Sequence, residues 1–440
     1  MLNHHRNATS SKKFSLKCTY CGKVHDPNPF RLHCSNDHPV SLLRVEYDQK
    51  LEVKEDLPGI FRYIDWLPVD QAISVDGRPT TYKSEALARH LKLKNLWISF
   101  NGYWPEKGGS LETCSFKELE ASAVLAQLHQ STEDTLVVSS AGNTGRAFAV
   151  IGSRHNQPIC IVTPSSSLPA YWSKQRFKSN VSLITVNQNA DYTDAIRLGK
   201  AISQLPGYFP EGGVHNVARR AGMGLTVIDA AVTIGEIPQH YFQAVGSGTG
   251  GIAAWEANLT LLKDGRFGSH LMKLHLSQNE PFAPLVKAWN EGIRSMPLIP
   301  ETEAKRQIRE VSAPVLTNRK PAYGLHGGVY DALTSTQGHT YGVDNKKAAE
   351  AQHLFQKLEG IDISPAASVA VSSLMQAIEA GNVNPNDTIL LNITSGGVER
   401  FKQDHTIEYQ IPSMSFPPKL LDGMVLEREL KQQIEQSVPA

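Results

Sequence analysis

Residues 240–259, HYFQAVGSGTGGIAAWEANL, pass from an apolar strand-like stretch through four glycines into a helix-like stretch. Gly246, Gly248, Gly250 and Gly251 let the backbone approach an anion closely. A helix beginning near Ile252 would aim free N–H groups and a partial positive charge at that anion. A phosphate site is the reading this order favours; a glycine-rich turn without a ligand is the alternative. Gly246, Gly248 and Gly251 also satisfy the dinucleotide pattern G-x-G-x-x-G, which needs an acid about 20 residues later to hold a ribose hydroxyl. The next strand-like run offers only Glu280, late and after a polar stretch, which counts against a dinucleotide.

Outward from this loop, short apolar runs alternate with helix-like segments. The runs are NLWISF (95–100), TLVVSSA (135–141), PICIVT (158–163), VSLITV (181–186), HLMKLHLS (270–277) and DTILLNITSGG (387–397). Helical patterns include 117–130, 145–155, 191–204, 251–263 and 365–380. The alternation predicts an α/β fold of parallel sheets covered by helices, with ligands at the strand ends. Two further strand-to-helix loops carry small polar residues. In VVSSAGNTGRAFAV (137–150), Asn143 and Thr144 fall where a helix N-terminus would meet a carboxylate, or where an asparagine merely caps. In DTILLNITSGGVERF (387–401), Thr394 and Ser395 offer hydroxyls that could cap a helix or bind a ring nitrogen. QLPGYFPEGGVHN (204–216) and IRSMPLIPETEA (293–304) are Pro- and Gly-rich candidate connections between lobes. The polar stretch LERELKQQIEQ near the C-terminus reads as a peripheral helix.

At 440 residues the chain suits one large two-lobed domain or two to three domains. Its 44 Lys and Arg nearly cancel 43 Asp and Glu, so no global field would draw nucleic acid or an anionic membrane. No apolar run approaches a membrane span, and the start MLNHHRNATSSKK lacks the apolar centre of a signal peptide, so a cytoplasmic protein is expected. The segment CTYCGKVHDPNPFRLHCSNDH (18–38) reads as a small loop-rich module. Its Cys18, Cys21, Cys34 and His38 could surround zinc, or the module could be a degenerate ribbon held by its own core. No metal-binding residue is assigned on this reading, and the zinc question stays open.

The stretch ETCSFKELEAS (112–122) raises a separate question: whether Lys117 is a solvated charge between acids or a buried amine with a chemical role. Taken alone the solvated face is the ordinary reading. Together, however, the S-F-K segment, the S-A-G-N-T-G loop, the G-S-G-T-G-G loop and a late Thr-Ser resemble the fold-type II pyridoxal-phosphate enzymes, the group of threonine synthase and cysteine synthase. All four appear in family order. The resemblance implies two open twisted α/β lobes with the active site in the cleft, plus the small N-terminal Cys-containing module. It suggests a zinc-ribbon-like module at 1–45, a large cofactor-binding lobe at 46–125 and 236–415, a small lobe at 126–235, and a tail at 416–440.

Carried over position by position, Lys117 would anchor pyridoxal 5'-phosphate and serve as general base. Asn143 would bond the cofactor hydroxyl, Gly248, Thr249 and Gly250 its phosphate, and Thr394 its pyridine nitrogen, with Ser395 a rival for that role. Ser140 and Thr144 would bind the substrate carboxylate. The resemblance narrows, on FNGYWPEKGG, NVARRAGMG, PVLTNRK and LEGIDISPAASVA, to a branch of threonine synthase relatives that replaces the phosphate of O-phospho-L-serine with sulfite, giving L-cysteate. A homo-oligomer is expected from the same likeness. Cys114 stands where glycine is usual, Glu118 and Leu119 replace a common Asp-Arg pair, and Ala141 replaces Ser or Thr. These departures suit that branch.

Threonine synthase or phosphoserine sulfhydrylase chemistry on the same scaffold remains open, as does a non-catalytic binding protein. Anionic substrates need local cations. Lys83, Lys107, Arg146, Arg219 and Arg220 are candidates by position, each with a surface charge as the plainer reading. Lys117 is expected to point away from Glu118 and Glu120, into the crevice shared by the asparagine and glycine loops.

Overall fold

The computed structural model describes residues 13–187, 190–417 and 428. The polar N-terminal start and the C-terminal stretch read as a peripheral helix lie outside the described residues, save those few positions. Two parallel sheets carry the fold. The larger has six strands in the order His339–Val343, Lys273–Asn279, His240–Ala244, Thr388–Ile393, Asn95–Phe100, Thr80–Lys83; only the last pairs antiparallel. The smaller has five parallel strands, Tyr208–Pro210, Thr135–Ser139, Ile159–Pro164, Val181–Val186, Met414–Phe416. Central strands such as Thr388–Ile393 and Ile159–Pro164 are buried at every residue, which is why they read as unbroken apolar runs rather than alternating ones. None of the four edge strands of these sheets was among the apolar runs; Tyr208–Pro210 lies inside the stretch 204–216 read as a connection, and Met414–Phe416 returns from beyond the large sheet to finish the small one.

In both sheets the strand order reverses at the cleft. His240–Ala244 has its successor on one side and Thr388–Ile393 on the other; Thr135–Ser139 likewise lies between its successor and Tyr208–Pro210. Such switch points open a crevice at the carboxyl ends of the strands, where ligands bind in open α/β sheets. The glycine loop, the Thr394–Ser395 loop, the asparagine loop and Glu211 all follow strands at these points.

Helix Lys117–Leu128 packs on helices Asn143–His155 and Val217–Ile234. It reads as amphipathic, yet Glu118 through Ala126 are all buried. Both neighbours cover it, and the crossing with helix Val217–Ile234 is close: a side chain on Gly222 would come within 2.5 Å of the Leu119 carbonyl oxygen and would also meet Ala123. At the N-terminus, strands Val24–His25, Phe14–Cys18 and Leu43–Tyr47 form a three-stranded antiparallel sheet. Among the described residues no helix is long and apolar enough to cross a membrane.

Candidate active site

A cleft of about 860 Å³, open mouth included, lies between the two sheets and is lined by Lys117, the asparagine loop 140–144, the glycine loop 246–250, Tyr192, Arg219, Gln243, residues 314–318, and Thr394 and Ser395. Every residue placed in the site from sequence lines it: Lys117, Ser140, Asn143, Thr144, Gly248, Thr249, Gly250, Thr394 and Ser395. A short backbone contact sets the registration. Ser115 bridges Ser395, and the Phe116 amide donates to the Thr394 carbonyl at 2.9 Å, which fixes the start of the lysine helix against the Thr394 loop. Cys114 has φ +51, in the left-handed region that costs a side-chain-bearing residue conformational energy. Its thiol is buried and pushed well above its ordinary pKa by that burial.

Two of the helices that begin at the cleft have glycine N-caps. Helix Thr249–Asp264 follows Gly248 (φ +82), and helix Asn143–His155 follows Gly142. Their first-turn amides face an anion from outside, except that Thr249 N donates weakly to Ser247 Oγ (3.4 Å) and Gly145 N to Ser140 Oγ (2.8 Å). Ser140 Oγ also accepts from the Gly142 amide at 3.1 Å, so this hydroxyl is largely engaged in shaping its own loop. Behind the glycine loop lies a neutral buried network. Tyr241 donates to Gln243 (2.6 Å), Asn392 donates to Tyr241 (2.6 Å), and Asn101 donates to Asn392 (2.8 Å).

Lys117 enters the crevice as expected, but it does not point away from Glu120. Its Nζ lies 3.2 Å from Glu120 Oε2, 3.8 Å from Met223 Sδ and 4.5 Å from the Phe116 ring centre. The i,i+3 spacing puts both on one helix face, and a fully buried carboxylate requires a cationic partner. Glu120 Oε1 also accepts from Thr144 Oγ1 (2.9 Å) and pairs with Arg219 (3.0 Å), which in turn pairs with Glu211 at 2.5 Å. Burial lowers the Lys117 pKa below the ordinary lysine value, against the opposing pull of Glu120. Burial also works against charge on Arg219, but Glu120 and Glu211 outweigh it and hold its pKa high. Glu211 itself is raised by burial. Glu118, whose Oε2 accepts from the Thr113 amide at 2.7 Å, is raised by burial to about 7 and does not reach the cleft.

Of the five basic candidates only Arg219 lines the cleft. Arg146 is buried under the Trp172 ring (3.9 Å) and bonds the Ala170 carbonyl at 3.0 Å; burial lowers its pKa to about 10. Arg220, fully buried, bonds Glu256 at 2.8 Å and the Val214 and Leu43 carbonyls. Lys83 and Lys107 lie at the periphery, on Asn95 and on the Tyr82 ring. Sequence reasoning missed Glu120, Glu211, Tyr192 and Gln243. The available signal was the pair of acids flanking Lys117, which read as a solvated face.

Thr394 and Ser395 differ. The Ser395 hydroxyl is 2.5 Å from that of Ser364, whereas the Thr394 hydroxyl has no hydrogen-bond partner among the described residues. An anchoring amine, an open helix N-terminus and a free hydroxyl in one cleft fit a phosphorylated pyridine aldehyde.

A family model described as pyridoxal-phosphate dependent enzyme matches residues 73–395, and the chain belongs to that family. Within it, the sequence is 52% identical over 397 residues to the cysteate synthase of Methanosarcina acetivorans, covering 90% of this chain and 94% of that relative. It is 50% identical over 401 residues to the cysteate synthase of Methanosarcina barkeri (90% and 95%), and 48% identical over 397 residues to that of Methanoculleus marisnigri (89% and 90%). Among solved structures it resembles a pyridoxal 5'-phosphate-dependent aspartate racemase (TM-score 0.55, 16% identity, 73% of this chain and 90% of that one). Diaminopropionate ammonia lyase from Escherichia coli is similar too (TM-score 0.55, 14%, 76% and 88%). At such identities these two speak for the fold alone, the fold-type II arrangement.

Proposed function

We propose that the protein is a pyridoxal-phosphate-dependent β-replacement enzyme with cysteate synthase activity, exchanging the phosphate of O-phospho-L-serine for sulfite. The observation that carries the reaction class is the convergence of the Lys117 amine with two glycine-capped helix N-termini in one cleft. Near-half identity to cysteate synthases along nearly the whole chain supports the choice of substrates. When bound, pyridoxal phosphate supplies an electron sink that makes the Cα proton of an amino acid removable.

The chain's own residues divide the remaining work. The amides at the start of helix Thr249–Asp264 would hold the cofactor phosphate, Asn143 the cofactor hydroxyl, and Thr394 the pyridine nitrogen. A neutral hydroxyl at that nitrogen favours loss of a group from Cβ over deeper carbanion chemistry. The open turn at Asn143 and Thr144 would bind the substrate carboxylate. Lys117 Nζ, whose charged form burial disfavours, would take the Cα proton. As that proton leaves, phosphate departs with the Cβ–O electron pair. The sulfur lone pair of sulfite then forms the Cβ–S bond, and Lys117 returns a proton to Cα.

Glu120 takes the role of a positioning residue. It holds the amine within the cleft and shares its charge with Arg219, so the wall facing two anionic substrates is not itself a bare carboxylate. Turnover of phosphoserine with sulfite and with sulfide, read by product mass, tests the reading. Cysteate is expected as the dominant product; preferential formation of cysteine would overturn it.

A further inference from the structure

Outside the cleft, the N-terminal sheet brings Cys18, Cys21, Cys34 and His38 together with their ligand atoms all within 4.8 Å of one another. Cys21 Sγ and Cys34 Sγ are 3.7 Å apart, and Cys18 Sγ is 3.4 Å from His38 Nε2. A tetrahedral zinc with Zn–S near 2.3 Å and Zn–N near 2.0 Å has edges of about 3.8 Å and about 3.5 Å. Those two separations are what such an ion would impose. The cysteines are all free.

The surroundings are those of ligands prepared for a metal. His38 Nδ1 is 2.8 Å from the Pro39 carbonyl, a bond that requires the proton on Nδ1 and leaves the Nε2 lone pair facing the thiols. Each sulfur has a donor group close by: Ser41 Oγ at 3.2 Å from Cys18, the Asn36 side-chain amide at 3.5 Å from Cys21, and the Asn36 backbone amide at 3.5 Å from Cys34. Such contacts suit thiolates better than thiols. The His25 ring nitrogen, 3.4 Å from Cys34, completes the outer set.

We infer that Cys18, Cys21, Cys34 and His38 form a structural Cys3His site for a tetrahedral divalent cation, zinc. The site has a consequence for the cleft. Cys21 and Cys34 close the loop 22–33, whose tip packs Phe30 on Phe209 (5.3 Å between ring centres), Leu32 on Gly212 and His33 on His215 (4.5 Å). That segment carries Glu211, the partner of Arg219. On the opposite side Thr19 donates to the His326 carbonyl at 2.9 Å. The closed module therefore braces the chain that positions the charged wall, without touching substrate.

Metal analysis of the purified holoenzyme is the test. One zinc per chain is expected, with its near-complete loss in Cys34→Ser and Cys21→Ser. Because those variants can misfold, the wild-type protein is also exchanged with cobalt(II), which should produce the intense thiolate-to-cobalt absorption of a tetrahedral site. Chelation of the zinc should lower the unfolding temperature while the cofactor's visible absorbance stays present. Less than about a tenth of a zinc per chain after reconstitution, iron in its place, or a Cys21–Cys34 disulfide in protein isolated without oxygen would each overturn the assignment.

Discussion

Two helix N-termini meet in the cleft, and they stand on different foundations. The start of helix Thr249–Asp264 rests on the neutral network of Tyr241, Gln243, Asn392 and Asn101. The start of helix Asn143–His155 faces the ionised chain of Lys117, Glu120, Arg219 and Glu211. A neutral, hydrogen-bonded support presents the same amides at any pH, as an anchor for a permanently charged phosphate requires. The ionised side can redistribute charge when an anionic substrate arrives and when protons move. One corner holds; the other responds.

Lys117 would both anchor the cofactor and move the proton, so its loss has the largest expected effect. Lys117→Ala should lower kcat/KM by about a thousandfold or more and abolish the visible absorbance of the anchored cofactor. A yellow, active Lys117→Ala protein would break the comparison altogether.

Glu120→Gln tests the responsive corner. It removes the charge shared by Lys117 and Arg219, and an effect of about a hundredfold on kcat is expected, with a loss of about 2–3 kcal/mol in stability because Arg219 keeps only Glu211. The pH profile carries the sharper sign. Glu120 raises the Lys117 pKa against burial, so without its charge that pKa falls further. A base acts when deprotonated; the acid limb of kcat should therefore move to lower pH. A limb that stays in place would remove Glu120 from the mechanism.

Gly248→Ala tests the anchoring corner. A methyl there must adopt φ +82 and would meet Val329 Cγ2 at 2.3 Å. Cofactor affinity, measured by equilibrium loss of visible absorbance, should weaken about tenfold, while the pH limb governed by Lys117 should not shift. Smallest is the contrast at the ring-nitrogen position. Thr394→Ala should lower kcat about tenfold and shift the cofactor absorbance, whereas Ser395→Ala, which loses only its Ser364 partner, should stay within about threefold. Equal effects would make Ser395 the functional hydroxyl.

The parts legible in the sequence share one property: each is a local pattern. Buried strands such as NLWISF and VSLITV read as strands because both faces are covered, and their spans match those observed. The glycine and asparagine loops were recognisable because a tight strand-to-helix turn needs particular residues at particular positions. The charged wall was not legible. Lys-Glu-Leu-Glu has the pattern of a solvated helix face, and only the packing of the helix among its neighbours, with Thr144 and Arg219 against the carboxylate, buries Glu120. Arg219 and Arg220 are adjacent in sequence, yet the helix turns them to opposite duties, one to the cleft and one to the Leu43 and Val214 carbonyls. The edge strands Thr80–Lys83, Tyr208–Pro210, His339–Val343 and Met414–Phe416 were missed because short strands with half-exposed or polar residues leave little apolar signal.

By itself, then, the sequence determined the α/β class and the order of the loops gathered around Lys117, since short-range sterics and burial period are written into neighbouring residues. Which acid meets that lysine, which arginine reaches the cleft, and how closely four N-terminal ligands gather were decided only in three dimensions. Those outcomes depend on how segments separated in the chain cross and pack, as Glu120 does with Arg219 and Cys18 with His38, and no local pattern encodes the direction a side chain takes once such contacts form.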